Sequence, residues 1–509
     1  MIIPSLLKKF NNQKKNKLTN ERSEINLDLW IKKTKKLFFL FICFQIISCS
    51  NEKVFFEEEL IIENINIIDP IDGLYKNKTL VIKENKIIEI FNSNEIKISK
   101  KNKTYKGDDK FIIPGLWDSH VHFAFQVELA ESMMNLFLYH GITSLRDTGG
   151  PFDFVNKFKQ NSIKNPKTKA RLKIAGPLLD GEFNVYDGSD HTHPLLSIKN
   201  SDEEELKKNV ELLIEKGVDF LKAYEMLSPD QFNTLTELAK KNGLKLTGHV
   251  PLSLNVEIAS SLGLNSIEHF RNIELSMTNQ ADELLEERKS ILYNKSGLKG
   301  SKLRSLLHGK QRMKSIYNLD SSRIEKVVDI LAKNDTWQIP TLKLYKNFAF
   351  KSYKEKEYLS YLELLPKNIR ENWYKNIRGL DSNEDKERMD FIKWQSSMVK
   401  YMHKKGVTFM AGTDAPIGFL VPGLSLHQEI EELCASGLSE LEAIKTATIN
   451  PAKYFNLEES LGRIKQGYIA DLIILDKNPL ENISNTKSIQ AVIKDGYFMN
   501  RSYLDSLIR

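Results

Sequence analysis

The stretch FIIPGLWDSHVHFAF, residues 111–125, sets His120 and His122 one residue apart at the end of an apolar run. In a β-strand, side chains at i and i+2 share a face, so both imidazoles emerge together where the strand stops. That is how a metal is gripped. Further along, Lys222 in GVDFLKAY, His249 in LTGHVP, His269 in SIEHF and Asp414 in AGTDAP each stand at or near the end of another short apolar run. A lone histidine is ordinarily a satisfied core or surface group, and a lone aspartate a turn or helix cap. Six such groups at matching strand ends make a candidate metal site. Thiolates are not the source of it, because the three cysteines, Cys43, Cys49 and Cys434, are too few for a metal cluster or a disulfide framework.

These residues need a scaffold that opens many strand ends onto one face. Eight runs read as strands: GLWDSHVHF, TSLRD, RLKIAG, VDFLKAY, KLTGHV, SIEHF, WQIPTL and TFMAGTD. Helical patterns such as SDEEELKKNVELLIEKG and SPDQFNTLTELAKKNG fall between several of them. Repeated β-then-α units of this number predict an α/β fold, a (β/α)8 TIM-like barrel over residues 108–459, whose active sites lie at the C-terminal strand ends. The stretches 274–337 and 343–405 are longer than single connecting helices and read as helical insertions over the barrel mouth. On both flanks, residues 54–107 and 460–509, short Ile/Val/Leu runs alternate with Gly, Asn and Asp turns, which predicts one small composite β-sandwich.

The formal net charge of +7 invites a nucleic-acid reading, but ten of the 74 Lys/Arg and three of the 67 acids precede Cys49, leaving 64 of each in the body. No basic footprint for a nucleic acid remains. KKTKKLFFLFICFQIISCS has a cationic start, an apolar core over residues 37–47 and the box IISC before Cys49. This is similar to a bacterial lipoprotein signal spanning residues 1–48, with an atypically long polar extension. It predicts lipid anchoring to the bacterial cell envelope through Cys49, periplasmic or surface-exposed. The apolar run is too short for a confident membrane span.

Taken in order, IIPGLWDSHVH, GITSLRDTGG, GVDFLKAY, LTGHVP, SIEHF, AGTDAP, ATINPAKYF and LGRIKQGYIADLIILDKNPL resemble the amidohydrolase superfamily, in particular its imidazolonepropionase-like and prolidase-like secreted members. The resemblance implies a metal-dependent hydrolase with two divalent metal ions. His120 and His122 would bind one, with Asp414 completing its shell, and His249 and His269 the other. Lys222 would bridge them, which an ammonium cannot do for want of a lone pair, so a carbamate on Lys222 is expected. An unmodified lysine in a mononuclear enzyme is the alternative. Asp414 would serve as general base and then general acid. Histidine and carboxylate donors suit zinc, with manganese, cobalt and iron as alternatives.

The expected reaction is hydrolysis of an amide or peptide C–N bond in a small molecule such as a dipeptide or an N-acyl amino acid. Hydrolysis of a cyclic amide, lactone or phosphoester on the same site, and a non-catalytic envelope binding lipoprotein, are the alternatives. Tyr224, two residues past Lys222, and His193 are candidate substrate contacts. His191 and His193 form a second His-x-His pair, but in a Gly/Asp-rich loop, and are read as no metal site. Arg146 and Asp147 end the second strand and are expected to order the metal ligands. His140, His308, His403 and His427 read as surface residues.

Overall fold

The computed structural model describes residues 59–95, 98, 102–294, 298, 300–380 and 385–508. The leader pattern and Cys49 lie outside these residues, and no described helix is long and apolar enough to cross a membrane.

The barrel strands are Leu116–Val121, Ile142–Asp147, Arg171–Ile174, Leu221–Ala223, Leu246–Gly248, Ser266–Glu268 and Trp337–Ile339, with residues 408–415 as the eighth. The first three pair in parallel as one sheet. The fourth to seventh pair in parallel as another. The third strand breaks at Gly176 and Pro177. Its lower part holds the second strand, while its continuation, Leu178–Asp180, pairs with the fourth at Ala223. The ring closes through Gln338 beside Phe409 and Val121 beside Ala415, both parallel bridges. All eight sequence-read strands take part.

The connecting helices form for reasons visible in their sequences. In Glu203–Lys216 the buried Leu206, Val210 and Leu213 recur at helical spacing, so one stripe faces the core. Asp202 caps it by accepting from the Glu205 amide (2.9 Å), and Gly217 ends it with φ 85°. Pro229–Lys241 begins with a capping box between Ser228 and Gln231. Stretch 274–337 holds helices Ala281–Asn294 and Gly300–Tyr317 before Ser321–Lys333, which leads into the seventh strand. Stretch 343–405 is also helical, and its Trp373 indole donates to Gln126 Oε1 (2.9 Å), just past the first strand.

The two flanks hydrogen-bond into one continuous eight-stranded mixed sheet. It also takes Phe111–Pro114, which the sequence reading placed within the barrel's residues 108–459. That segment pairs antiparallel with Leu472–Leu475 and parallel with Leu60–Asp69. An apolar core including Ile62, Ile65, Ile112, Leu472 and Ile493 is buried on this sheet.

Candidate metal centre

The first strand delivers its histidines from a fixed height. Asp118 accepts from the His120 amide (3.2 Å) and from both the Thr413 amide (3.1 Å) and hydroxyl (2.7 Å). One carboxylate thus ties the strand of His120 to the residue before Asp414. Gly412 makes the approach possible, since a Cβ there would stand 2.8 Å from His120 Cβ. His269, Thr341 and Asp414, at the ends of the sixth, seventh and eighth strands, all adopt left-handed backbone, with φ of 61°, 48° and 70°. Such conformations are costly for non-glycine residues and turn these side chains out of strand alternation.

Each of the four histidines has its Nδ1 occupied. His120 Nδ1 donates to Glu268 Oε2 (2.5 Å), His122 Nδ1 to the Gly149 carbonyl (3.1 Å) and His249 Nδ1 to Glu225 Oε1 (2.8 Å). His269 Nδ1 donates to Thr341 Oγ1 (2.7 Å), whose own hydroxyl is spent on the Pro340 carbonyl. Burial also pushes His120 and His269 below the usual imidazole range and His249 down to about 3. In His120, His249 and His269, burial keeps the ring neutral and Nδ1 donation leaves Nε2 as a lone-pair donor.

Nε2 atoms converge on a carboxylate. His120 Nε2 lies 3.2 Å from His122 Nε2, and the two stand 3.0 and 3.1 Å from Asp414 Oδ1. Asp414 Oδ1 is buried without a hydrogen-bond partner, and Oδ2 stands 4.0 Å from His269 Nε2. Nitrogen and oxygen donors packed this closely fit a metal cation. His120, His269 and Asp414 each offer a ligand atom within 4.8 Å of the others. The His249 ring follows at 5.1 Å from that of His269. Lys222 is buried at 1 % exposure, and burial lowers its ammonium to about 8. That leaves a usable neutral fraction near neutrality, the form that reacts with carbon dioxide.

Behind these residues lie Arg146 and Asp147, which the sequence reading named, and Glu268 and Glu225, which it did not. Glu268, adjacent to His269, accepts from Arg146 Nη2 (2.7 Å) and from the Thr247 hydroxyl while holding His120. Arg146 also donates to the Ser119 carbonyl. Asp147 accepts from the Phe123 amide (2.8 Å) and the Gly149 amide (3.1 Å), pinning the turn after His122. Glu225 accepts from His249 and contacts His308 Nε2 (3.1 Å).

Tyr224 is buried with its ring 4.4 Å from that of His249. His193 is held by Asp190 and Thr192 and reaches the neighbourhood through Tyr186, 5.7 Å between rings; His191 is exposed in the same loop. Three of the histidines read as surface residues are not. His308 packs against Glu225 and Asn272, His427 is fully buried between the His140 carbonyl and Thr486, and His140 is buried beside it. Helical context gave no information about which helix face is covered. His403 remains a third exposed and pairs with Glu442.

Residues 367–499 match the family model described as the amidohydrolase family. In that stretch the sequence is similar to the amidohydrolase family, and the fold is shared with the solved structures that follow. The structure is similar to a Xaa-Pro dipeptidase with bound methionine in its active site, at TM-score 0.62 and 19% identity, covering 87% of this chain and 100% of that one. It is also similar to the ochratoxinase of Aspergillus niger, at TM-score 0.60 and 18% identity over 87% of this chain and 96% of that one. In sequence, that ochratoxinase is 41% identical over 91 residues, 18% of each chain. An adenine deaminase of Clostridium perfringens is 22% identical over 239 residues, 45% of this chain and 38% of that one. These sequence matches thus cover well under two thirds of the relatives' own length.

Proposed function

We propose that the protein hydrolyses a C–N bond, amide or peptide, in a small substrate such as a dipeptide or an N-acyl amino acid. The observation that carries this is the convergence of the His120 and His122 Nε2 atoms on the orphaned Asp414 Oδ1, with His269 and His249 beside them. His120, His122 and Asp414 would hold one divalent ion, His249 and His269 a second, and a carbamate on Lys222 would link them. Nitrogen and carboxylate donors favour zinc. When bound, two such ions polarise a carbonyl and bring the pKa of a shared water toward neutrality. Asp414 divides its labour, because Oδ1 faces the two histidines while Oδ2 is free to take the water's proton and return it to the leaving nitrogen. Tyr224, its ring tilted 33° against that of His249 at 4.4 Å, forms a wall beside the reacting bond. The dipeptide choice draws support from the dipeptidase and prolidase names among the structural neighbours.

The test is metal analysis of purified protein joined to a hydrolysis screen over dipeptides and N-acyl amino acids. About two transition ions per chain are expected, with loss of metal and turnover in His120→Ala and in His249→Ala and retention of metal in His191→Ala. Full metal occupancy in both strand-end variants sinks the site assignment. Anchoring to the envelope through Cys49 is proposed on the IISC pattern alone.

A further inference from the structure

His269 is held differently from the other three histidines. His120 and His249 donate to carboxylates and His122 to a carbonyl, whereas His269 Nδ1 donates to a threonine hydroxyl, Thr341 Oγ1 (2.7 Å). A hydroxyl carries its own proton, so it accepts from the imidazole only while that proton is directed elsewhere. Here the proton goes to the Pro340 carbonyl (2.8 Å). The aim of His269 therefore depends on how Thr341 is turned.

Thr341 is also the N-cap of the helix Leu342–Phe350, yet its side chain makes no cap hydrogen bond. A threonine in that position ordinarily accepts from an amide in the first turn of its own helix. Another element does this instead. Glu429, on the helix Leu424–Ala435, accepts from the Leu342 amide at Oε1 (2.9 Å) and from the Lys343 amide at Oε2 (2.7 Å). Glu429 is fully buried, and burial pushes its carboxyl up to about 8 against the pull of those two amides. Packing alone favours an apolar residue at such a position. What the carboxyl holds is a strained turn. Thr341 is β-branched and has φ 48° and ψ 48°, left-handed backbone that such residues rarely adopt unless their surroundings enforce it. The same helix brings Tyr345 edge to face against the His269 ring, 6.4 Å between centroids.

We propose that Glu429 is a positioning residue for the metal centre: by capping the helix Leu342–Phe350 in place of Thr341, it frees the Thr341 hydroxyl to fix the tautomer and aim of His269. This role rests on the reading of His269 as a metal ligand. Without the Glu429 carboxyl, the Leu342 and Lys343 amides lose their acceptors, and the Thr341 hydroxyl is drawn to the first turn of its own helix. His269 Nδ1 then has no fixed acceptor, and its Nε2 no fixed direction.

The experiment is zinc titration of metal-free protein against a competing chelator, with the cobalt-loaded protein read by its visible spectrum. His269→Ala first identifies the binding step that depends on His269. If that variant binds metal as wild type does, His269 is no ligand, and both the ligand reading and the role of Glu429 fall. Glu429→Gln keeps the side-chain shape but offers one acceptor oxygen to two amides. It should weaken the His269-dependent step by about 10- to 100-fold, the effect of losing an outer partner of a ligating histidine, and shift the cobalt bands of that step. Thr341→Val, which removes only the hydroxyl, should lose about as much, and Thr341→Ser, which keeps it, should bind as wild type does. Glu429→Gln joined to Thr341→Val should lose no more than the larger single loss, to within about twofold, because both act through one hydrogen bond. Losses that multiply overturn the proposal. So does a Glu429→Gln protein with a lowered Tm but unchanged zinc affinity and cobalt spectrum, because Glu429 would then be a structural cap and nothing more. If the glutamine variant does not fold, Glu429→Asp, which draws the carboxyl back by one methylene, enters the same cycle with the same two outcomes.

Discussion

Replacing Glu268 by glutamine tests how the site is held. Both carboxylate oxygens are buried and engaged, one with Arg146 Nη2 and the Thr247 hydroxyl, the other with His120 Nδ1. Burial opposes the Glu268 charge, but Arg146 and Lys222 outweigh it and hold the group well below the carboxylate range. Glutamine has a single acceptor oxygen, so it can serve Arg146 or His120 but not both, and its amide N–H then faces another donor. Arg146 has no exposed side-chain surface, so Glu268→Gln leaves a buried cation without its counter-charge. Stranding a charge in this way costs about 3–5 kcal/mol. For a chain of 509 residues, an unfolding entropy of roughly 2.1 cal/mol/K per residue converts that to a fall of about 3–5 °C in Tm. The metal affinity should drop by about 10- to 100-fold, as for loss of an outer partner of a ligating histidine. Scanning calorimetry of metal-free protein reads the first quantity and zinc titration against a competing chelator the second. Adding Arg146→Met removes the stranded charge and should restore more than half of the lost Tm. A Glu268→Gln protein that melts within 1 °C of wild type, or a double variant whose loss is the sum of the singles, would refute this reasoning.

Asp414→Asn keeps a ligand oxygen of similar shape but loses basicity, so it should retain most of its metal and lose about 10²–10⁴-fold in kcat on the best substrate found. Near wild-type turnover would remove Asp414 from proton transfer. For Lys222, burial lowers the ammonium from its usual 10.5 to about 8, so the neutral amine fraction grows as pH rises through 8 and then levels. Reconstitution of metal-free protein with zinc, at fixed dissolved carbon dioxide, should speed up about tenfold between pH 7 and 9 and then flatten. A rate still climbing tenfold per unit above pH 9 would mark an unperturbed lysine. Lys222→Ala should bind metal weakly and regain part of its activity with short-chain carboxylates. Cys49→Ser should release the protein from the membrane fraction, and a variant that stays bound with residues 1–48 retained in its mass refutes the anchor.

The strands and most of the residues that converge at the site were legible because their signals are local. His120 and His122 sit at i and i+2 of an apolar run, and each barrel strand is a short apolar burst between helical patterns. Glu225 was not, because strand alternation stops at Ala223 and the chain then turns, so that Tyr224 and Glu225 both face the site. Glu268 hides for the same reason, since the left-handed turn at His269 brings neighbouring residues to opposite sides of one metal position. His308 comes from a helix far along the sequence. Its only local signal was the four-residue spacing with Arg304 and Arg312, which reads equally well as a solvated stripe.

The flank sheet joins Phe111–Pro114 to Leu472–Leu475, and the Gly115 amide to the Asp471 carbonyl at 2.7 Å. The same segment runs straight into the strand that presents His120. On the ribosome, therefore, the first histidines emerge long before the strand that seats them is made. Until then Phe111–Pro114 offers an unpaired apolar edge. A nascent chain stalled before residue 472 would hold the first histidines without the sheet that anchors the segment leading into their strand.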